Sequence, residues 1–168
     1  MVIKYVGKLS LKYKIYNMIS IEDFKIKHPN KVRFIGLDLG SKRIGVSICD
    51  ERQSIATPFK TINKTNTNEL IDELKIIIEE NNIGGIIVGN PVNMDGTIGR
   101  SAQSVNDVAS NISKNIDLPV ILWDERLSTV AAFNLSSLLD VNVSKRVKTI
   151  DQNAAAFILQ GAIDFLNN

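Results

Sequence analysis

The order of hydrophobic and polar positions predicts strands first and helices afterwards. Apolar or alternating segments at about 33–39, 43–49 and 56–62 are typical of three strands joined as hairpins. Pro58 lies in the third segment, and a proline cannot donate a hydrogen bond to a neighbouring strand. We therefore expect the third strand at an edge of its sheet.

Farther along the chain, helical periodicity alternates with short apolar runs. Hydrophobic residues recur at spacings of three or four in four segments, at about 70–78, 102–112, 128–138 and 150–166. The runs 83–89 and 120–123 are continuously apolar, as expected of parallel strands that are covered on both faces. This order predicts an α/β fold with a five-stranded mixed sheet and helices on both faces. Right-handed crossovers would place the first strand at the centre of that sheet.

A carboxylate inside an apolar strand is the strongest chemical signal in the sequence. Asp38 lies in the apolar segment 34–40, where an unpaired buried charge costs on the order of several kcal/mol. Such a residue is tolerated mainly where it holds a metal, a cation or a reacting group. Sites in sheets of this kind gather at the carboxyl ends of neighbouring parallel strands, where we expect both Asp38 and the pair Asp124-Glu125.

Two further positions supply candidate acids. Alternation leaves Asp124 and Glu125 on opposite sides of the sheet, and the residues alone do not choose between them. Thr149 and Gln152 have capping-box spacing, which predicts Asp151 in the first turn of the last helix. Asp151 also shares the apolar face of that helix, so its carboxylate is expected to point toward the strand ends.

Three clustered carboxylates would repel one another and raise one another's pKa values. Mg²⁺ or Mn²⁺ would relieve this repulsion, because both ions prefer oxygen ligands. Two such ions about 3.5–4 Å apart stabilise the attacking and leaving oxygens in phosphodiester hydrolysis. Basic residues expected near the same end of the sheet are candidates for binding backbone phosphates; they are Lys42, Arg43, Arg100, Arg126 and Lys148.

Composition narrows the classes of function. The chain has 168 residues, of which 44% are hydrophobic and 23% charged, which is typical of one globular domain. Cys49 and His28 are the single residues of their types, so neither a cysteine-zinc cluster nor a Ser-His-Asp mechanism is expected. No apolar run approaches the roughly 20 residues that span a membrane. Lysines interrupt any signal-peptide core, so we expect a cytoplasmic protein that binds no membrane.

The net charge of +2 conceals a basic N-terminus. Residues 1–31 contain seven lysines against Glu22 and Asp23, so the rest of the chain is slightly acidic. We expect two parts, a basic extension over 1–31 and a domain over 32–168. The extension would be partly disordered or would form a short helix capped by Ser20.

Four ordered motifs resemble the bacterial YqgF family; they span 38–45, 88–96, 124–129 and 148–155. Members of this family are described as pre-16S rRNA nucleases or Holliday-junction-resolvase-like proteins, and the resemblance covers about residues 32–166. It implies a ribonuclease-H-like fold and metal-dependent phosphodiester cleavage at the 5′ end of the 16S rRNA precursor. It also implies that Asp38, Glu125 and Asp151 are the catalytic and metal-binding acids, which selects Glu125 over Asp124.

One departure from related resolvases concerns the fourth strand. Those proteins carry an acid after this strand, whereas this chain has Asn90-Pro91. Asp95-Gly96 follows shortly, but this pair is a strong turn signal, so we do not expect Asp95 to replace the acid. The candidate metal site is therefore expected to be sparser than in those resolvases.

The sequence leaves three functions open. A nuclease acting on a ribosomal RNA precursor is the leading interpretation. A nuclease for four-way DNA junctions is the alternative, and it requires a two-fold dimer. A non-catalytic RNA-binding regulatory factor is the third. For the protein itself we expect a monomer or a weak homodimer. A sugar-kinase or actin-like ATPase is set aside, because that fold needs two such domains.

Overall fold

The computed structural model describes residues 18–27, 32–63, 66–127 and 143–168, with the backbone alone for 143–150. It contains a five-stranded sheet in the order β3-β2-β1-β4-β5. The strands are β1 (Arg33–Leu39), β2 (Arg43–Cys49), β3 (Ala56–Asn63), β4 (Ile83–Asn90) and β5 (Val120–Asp124). The central strand β1 is antiparallel to β2 and parallel to β4, so the predicted mixed sheet is confirmed. Pro58 lies in the edge strand β3, as predicted.

Four α-helices and one short 3₁₀ turn surround the sheet in the described part of the chain. They are α1 (Ile21–Lys27), α2 (Thr67–Asn81), α3 (Arg100–Asn115), the 3₁₀ turn Glu125–Leu127 and α4 (Val143–Asn167). The helix predicted over 128–138 lies outside the described residues. Within the described ranges, no helix combines the length and the apolar character needed to cross a bilayer.

The two faces of the sheet have separate hydrophobic cores, because side chains alternate along each strand. One core lies under α2 and α3 and includes Ile35, Leu37, Val46, Ile86, Leu74 and Ile112. The other lies under α1 and α4 and includes Phe24, Phe34, Ile87, Trp123, Leu159 and Ile163. The prediction of helices on both faces is therefore confirmed.

Helix α1 packs against the sheet domain. Phe24 is only 1% exposed, and its ring meets that of Phe34 edge-on with 5.1 Å between centroids. The Ser20 hydroxyl accepts a hydrogen bond from the Asp23 amide at 3.1 Å, which is the expected N-cap contact. Just before α1, Met18 forms an isolated parallel bridge with Val120 at the β5 edge. The short helix is thus present and contributes to the core of the domain predicted to begin at residue 32, while the boundary itself stays a prediction.

The predicted start of the last helix is wrong. Helix α4 begins at Val143, seven residues before the predicted start near residue 150. The segment before residue 150 contains neither glycine nor proline, so nothing in it stops a helix. Thr149 and Gln152 have the spacing of a capping box but lie inside the helix, and Asp151 falls in about its third turn rather than its first.

Helix α4 approaches the sheet closely at β2. Gly45 lies beneath the helix, and a Cβ atom at this position would overlap the carbonyl oxygen of Asp151. Two residues along the same face, the Ser47 hydroxyl donates a hydrogen bond to the Ala155 carbonyl at 2.8 Å. A glycine inside a strand often marks such an approach of another backbone. These contacts fix the height of α4 above the strands.

We expect Gly45→Ala to destabilise the protein by about 1–3 kcal/mol, because the added methyl group must push α4 away from β2. Ser47→Ala is the matched control on the same strand face and should cost about 1 kcal/mol through one lost hydrogen bond. Urea unfolding of both variants measures the difference. Equal stability of Gly45→Ala and the parent protein would contradict this packing.

Candidate active site

Asp38 lies near the carboxyl end of the central strand, on the face that α4 covers. Residues two apart in a strand share a face, so Asp38 projects on the same side as Gly36 and Phe34. Its direct neighbour across the β1–β2 ladder is Gly45, where the α4 backbone comes closest. The carboxylate therefore lies half-buried between the strand end and the helix.

This burial changes the acidity of Asp38. Burial, helped by the nearby negative charge of Asp151, raises the pKa of Asp38 from 3.8 to about 6. The ionised form is thus disfavoured in the folded protein relative to a solvated aspartate. Perturbed pKa values of this kind occur often at functional sites, so the position agrees with the interpretation drawn from the sequence.

Glu125 faces Asp38 from the end of β5. It begins the 3₁₀ turn, and its Oε1 atom would lie 2.7 Å from a Cβ placed on Gly89. The absence of a side chain at Gly89 therefore gives the Glu125 carboxylate its place over β4. Burial raises the pKa of Glu125, and the charges of Asp38 and Asp124 raise it further. Glu125 and Asp38 are consequently two half-buried acids that repel each other.

Asp124 has a different environment from Glu125. Arg126 donates hydrogen bonds to both Asp124 oxygens, with its Nη2 atom 2.6 Å from Oδ2 and its Nε atom 3.0 Å from Oδ1. These bonds lower the pKa of Asp124. Arg126 also reaches the Asn93 carbonyl at 3.4 Å, so the pair joins the end of β5 to the loop after β4. The two neighbouring acids, between which the residues alone do not choose, therefore have different environments in the structure.

Asp151 lies on the other side of Asp38 and is paired with an arginine. The Nε atom of Arg43 is 2.5 Å from Asp151 Oδ2, and the side chains are 38% and 20% exposed. The negative charge of Asp151 raises the pKa of Asp38, and the negative charge of Asp38 raises the pKa of Glu125. Asp38 is thus electrostatically coupled to both other acids.

The three acids share one region without forming a tight cluster. Among the side chains that the structure describes, no group of three acidic, histidine or cysteine residues lies close enough together to hold a metal ion. Asp38, Glu125 and Asp151 are therefore neighbours in series, with Asp38 in the middle. Their roles as catalytic and metal-binding residues stay predictions.

The five predicted phosphate-binding residues fall into three groups. Arg43 and Arg126 are each paired with an aspartate, as described above. Lys42 and Arg100 are exposed, and Arg100 is the first residue of α3. The side chain of Lys148 lies outside the described residues. Their binding of a substrate stays a prediction.

Two features of the site are not evident from the sequence. Asn90 ends β4 directly opposite Asp124, and its buried Oδ1 atom has no hydrogen-bond partner in the described part of the chain. The sequence indicates only that a polar residue ends an apolar strand there. Gly45 and Gly89 admit α4 and Glu125 respectively, and glycines inside strands were the signal for them.

Asp95 belongs to a turn, as predicted. Its Oδ1 atom accepts hydrogen bonds from the Thr97 amide at 2.9 Å and from the Thr97 hydroxyl at 2.6 Å. These bonds lower the pKa of Asp95, and the next residue, Gly96, has φ of 84°. The side chain is thus committed to the loop after β4.

The donor set beside Asp38 suits a divalent cation that prefers oxygen. Burial disfavours the ionised forms of Asp38 and Glu125, and so do neighbouring charges: that of Asp151 acts on Asp38, and those of Asp38 and Asp124 act on Glu125. A cation between them would offset both effects, and Mg²⁺ and Mn²⁺ bind such ligands. The residues present therefore fit the metal that the sequence predicts.

The chain is similar to known proteins in sequence. A family model described as "RuvX: Holliday junction resolvase" matches residues 32–165. A protein of Pelagibacter ubique (strain HTCC1062), named "Putative pre-16S rRNA nuclease", is 95% identical over 151 residues, which are 90% of this chain and 100% of that protein. A protein of the same name from Cereibacter sphaeroides (strain ATCC 17025 / ATH 2.4.3) is 45% identical over 148 residues, covering 88% of this chain and 92% of the relative.

Solved structures share the fold. RuvC of Thermus thermophilus superposes with a TM-score of 0.51 at 8% identity, covering 79% of this chain and 94% of RuvC. The yeast mitochondrial Holliday junction resolvase Ydc2 gives a TM-score of 0.50 at 15% identity, covering 86% of this chain and 83% of Ydc2. At such low identity these likenesses concern the fold alone. They confirm the expected ribonuclease-H-like architecture.

Replacing Asp38 should stabilise the protein at neutral pH. The folded protein keeps the Asp38 proton up to about pH 6, whereas the unfolded chain releases it near 3.8. Stability from this group is thus present below pH 3.8 and is lost as the pH rises through 6. At about 1.4 kcal/mol per pKa unit, we expect Asp38→Asn to be more stable by roughly 2–3 kcal/mol at pH 7.5.

Chemical unfolding between pH 4 and 8 tests this expectation, because the difference between Asp38→Asn and the parent protein should grow between pH 4 and 6. Asp117→Asn removes the same charge from an exposed position and should change stability by less than about 0.5 kcal/mol. A constant difference across this pH range would show that Asp38 titrates normally.

Proposed function

The chain belongs to the RuvX family of Holliday junction resolvases, and we propose that it is a metal-dependent nuclease that hydrolyses phosphodiester bonds. The observation that carries the proposal is the half-buried carboxylate of Asp38, coupled to Glu125 on one side and to Asp151 on the other. A purely structural aspartate would be expected to have a hydrogen-bonding partner that lowers its pKa, as Asp124 and Asp95 do.

In this proposal Asp38 and Glu125 are the catalytic acids that hold Mg²⁺ or Mn²⁺, and Asp151 is the third acid of the site. The ion, when bound, would supply positive charge to the scissile phosphate and favour ionisation of its own ligands. Asp38 is half-buried beside α4, and the lower local dielectric strengthens the interactions of its charge. Exposed Lys42 and Arg100 would bind backbone phosphates at the rim.

The proposed substrate is the precursor of 16S ribosomal RNA, cleaved near the 5′ end of the mature sequence. Two relatives that are 95% and 45% identical carry this activity in their names. A role in ribosome assembly would place the protein in the cytoplasm, acting on nucleic acid as a monomer or weak homodimer. Four-way DNA is the second candidate, because the family model that matches residues 32–165 is described by that substrate.

A non-catalytic, RNA-binding role on the same fold is the remaining interpretation. It would agree with the paired state of Arg43 and with a site in which no three described acids form a cluster. A binding role alone would not explain the raised pKa of Asp38, because binding nucleic acid does not require a half-buried carboxylate. We therefore favour catalysis.

We expect the purified protein to cleave a precursor rRNA leader in Mg²⁺ or Mn²⁺, and Asp38→Asn to abolish this cleavage while remaining folded. A synthetic four-way DNA junction is tested in parallel, and Asp117→Asn is the charge-matched control, expected to cleave like the parent protein. Preference for the RNA leader supports the first substrate, and preference for the junction supports the second. Equal cutting by Asp38→Asn would identify a contaminating nuclease, and binding without cutting in either metal would favour the regulatory role.

The neighbouring acids at the end of β5 provide a sharper comparison. Glu125→Gln should lower the cleavage rate by at least about 100-fold, equivalent to a loss of about 2.7 kcal/mol of transition-state stabilisation. Asp124→Asn also removes one negative charge, but from an acid that is hydrogen-bonded to Arg126. It should lower the cleavage rate by less than about tenfold. Single-turnover rates measure both effects. The reverse order would assign the catalytic role to Asp124.

A further inference from the structure

The pair formed by Arg43 and Asp151 joins β2 to α4 beside Asp38. Alternation places Arg43 on the same face of β2 as Gly45, which is the residue that admits the α4 backbone at Asp151. Close approach of the helix therefore brings the Asp151 carboxylate within 2.5 Å of the Arg43 Nε atom. The contact follows from the packing of α4 and is not a chance meeting of surface side chains.

This pair changes the charge that the site offers to a cation. Three carboxylates could in principle hold two divalent ions, as the sequence suggests. In the structure one of them, Asp151, already has a cationic partner, and the two side chains of that pair are 38% and 20% exposed. A second ion beside Asp151 would have to displace the guanidinium or tolerate its repulsion at short range.

We infer that Arg43 occupies the position of a second cation, so that the site binds a single divalent ion, between Asp38 and Glu125. This inference rests on the proposed function and specifies its metal stoichiometry. Arg43 is then a positioning residue that holds Asp151 and not primarily a phosphate-binding residue. Asp151 serves as the fixed partner of Arg43 and does not bind the ion directly.

Titration of the metal-free protein with Mn²⁺ alone tests the inference, by calorimetry and by the electron paramagnetic resonance signal of the free ion. The parent protein should bind one ion. Arg43→Gln should bind two, because Asp151 is then released as a ligand. Arg33→Gln is the matched control, since Arg33 lies at the opposite end of β1 from Asp38 and pairs with Glu51 instead; it should bind one.

A double variant keeps the test informative if Arg43→Gln alone fails to fold. Arg43→Gln with Asp151→Asn removes the pair without changing the net charge and allows a neutral hydrogen bond in its place. We expect it to bind one ion with a Kd within about threefold of the parent value. A Kd weakened by tenfold or more would show that Asp151 is a direct ligand and would overturn the inference.

The other outcomes separate this inference from the proposed function. Two ions bound to the parent protein would overturn the role of Arg43 and leave metal-dependent cleavage standing. One ion bound to a folded Arg43→Gln would also overturn it. No binding of Mn²⁺ to the parent protein at millimolar concentration would defeat both the inference and the metal-dependent function.

Discussion

Direct contact between the backbone of α4 and the central strands is the constraint on which the rest of the site depends. Gly45 leaves room for the helix, and the hydrogen bond from Ser47 to the Ala155 carbonyl fixes its position. With the helix at that height, Asp38 is half-buried and Asp151 reaches Arg43. The electrostatics of the site are therefore a consequence of packing, and a small change in the position of α4 would alter several of its interactions at once.

Among the described side chains, Asp151 has an arginine partner, whereas no such partner is found for Asp38 or Glu125. Arg43 neutralises Asp151, whereas burial and like charges raise the pKa values of Asp38 and Glu125. Unfavourable charges of this kind reduce the stability of the folded protein, and they persist in proteins mainly where a ligand can relieve them. The paired acid, by contrast, adds order to the helix-sheet contact.

The strands and their order were predictable because their signals are local or follow from chain connectivity. Alternating and apolar runs identify the five strands, and right-handed crossovers put β1 at the centre. The start of α4 was not predictable from a capping-box match, since Thr149 and Gln152 can have that spacing inside a helix as well. The choice of Glu125 over Asp124 came from family resemblance alone, because strand alternation does not say which side of the sheet carries the site.

The pairing of Arg43 with Asp151 could not be predicted from the sequence, for a different reason. A basic residue beside an acidic motif is compatible with binding a phosphate or a carboxylate, and only the three-dimensional position of α4 decides between them. The exposed positions of Lys42 and Arg100 are the ordinary expectation for charged residues in loops and at helix starts. The candidate acids could thus be identified from the sequence, whereas the residues that pair with them could not.

The separation of Arg43 and Asp151 along the chain has a consequence for the order of folding. These partners are 108 positions apart, and α4 follows all five strands along the chain. At a synthesis rate of about 5–20 residues per second, a nascent chain exposes β1 and β2 for roughly 5–20 seconds before the covering helix emerges. During that interval the apolar residues beneath α4, such as Phe34 and Ile87, lack the helix that covers them in the folded protein, so this face of the sheet is packed only after α4 has been made.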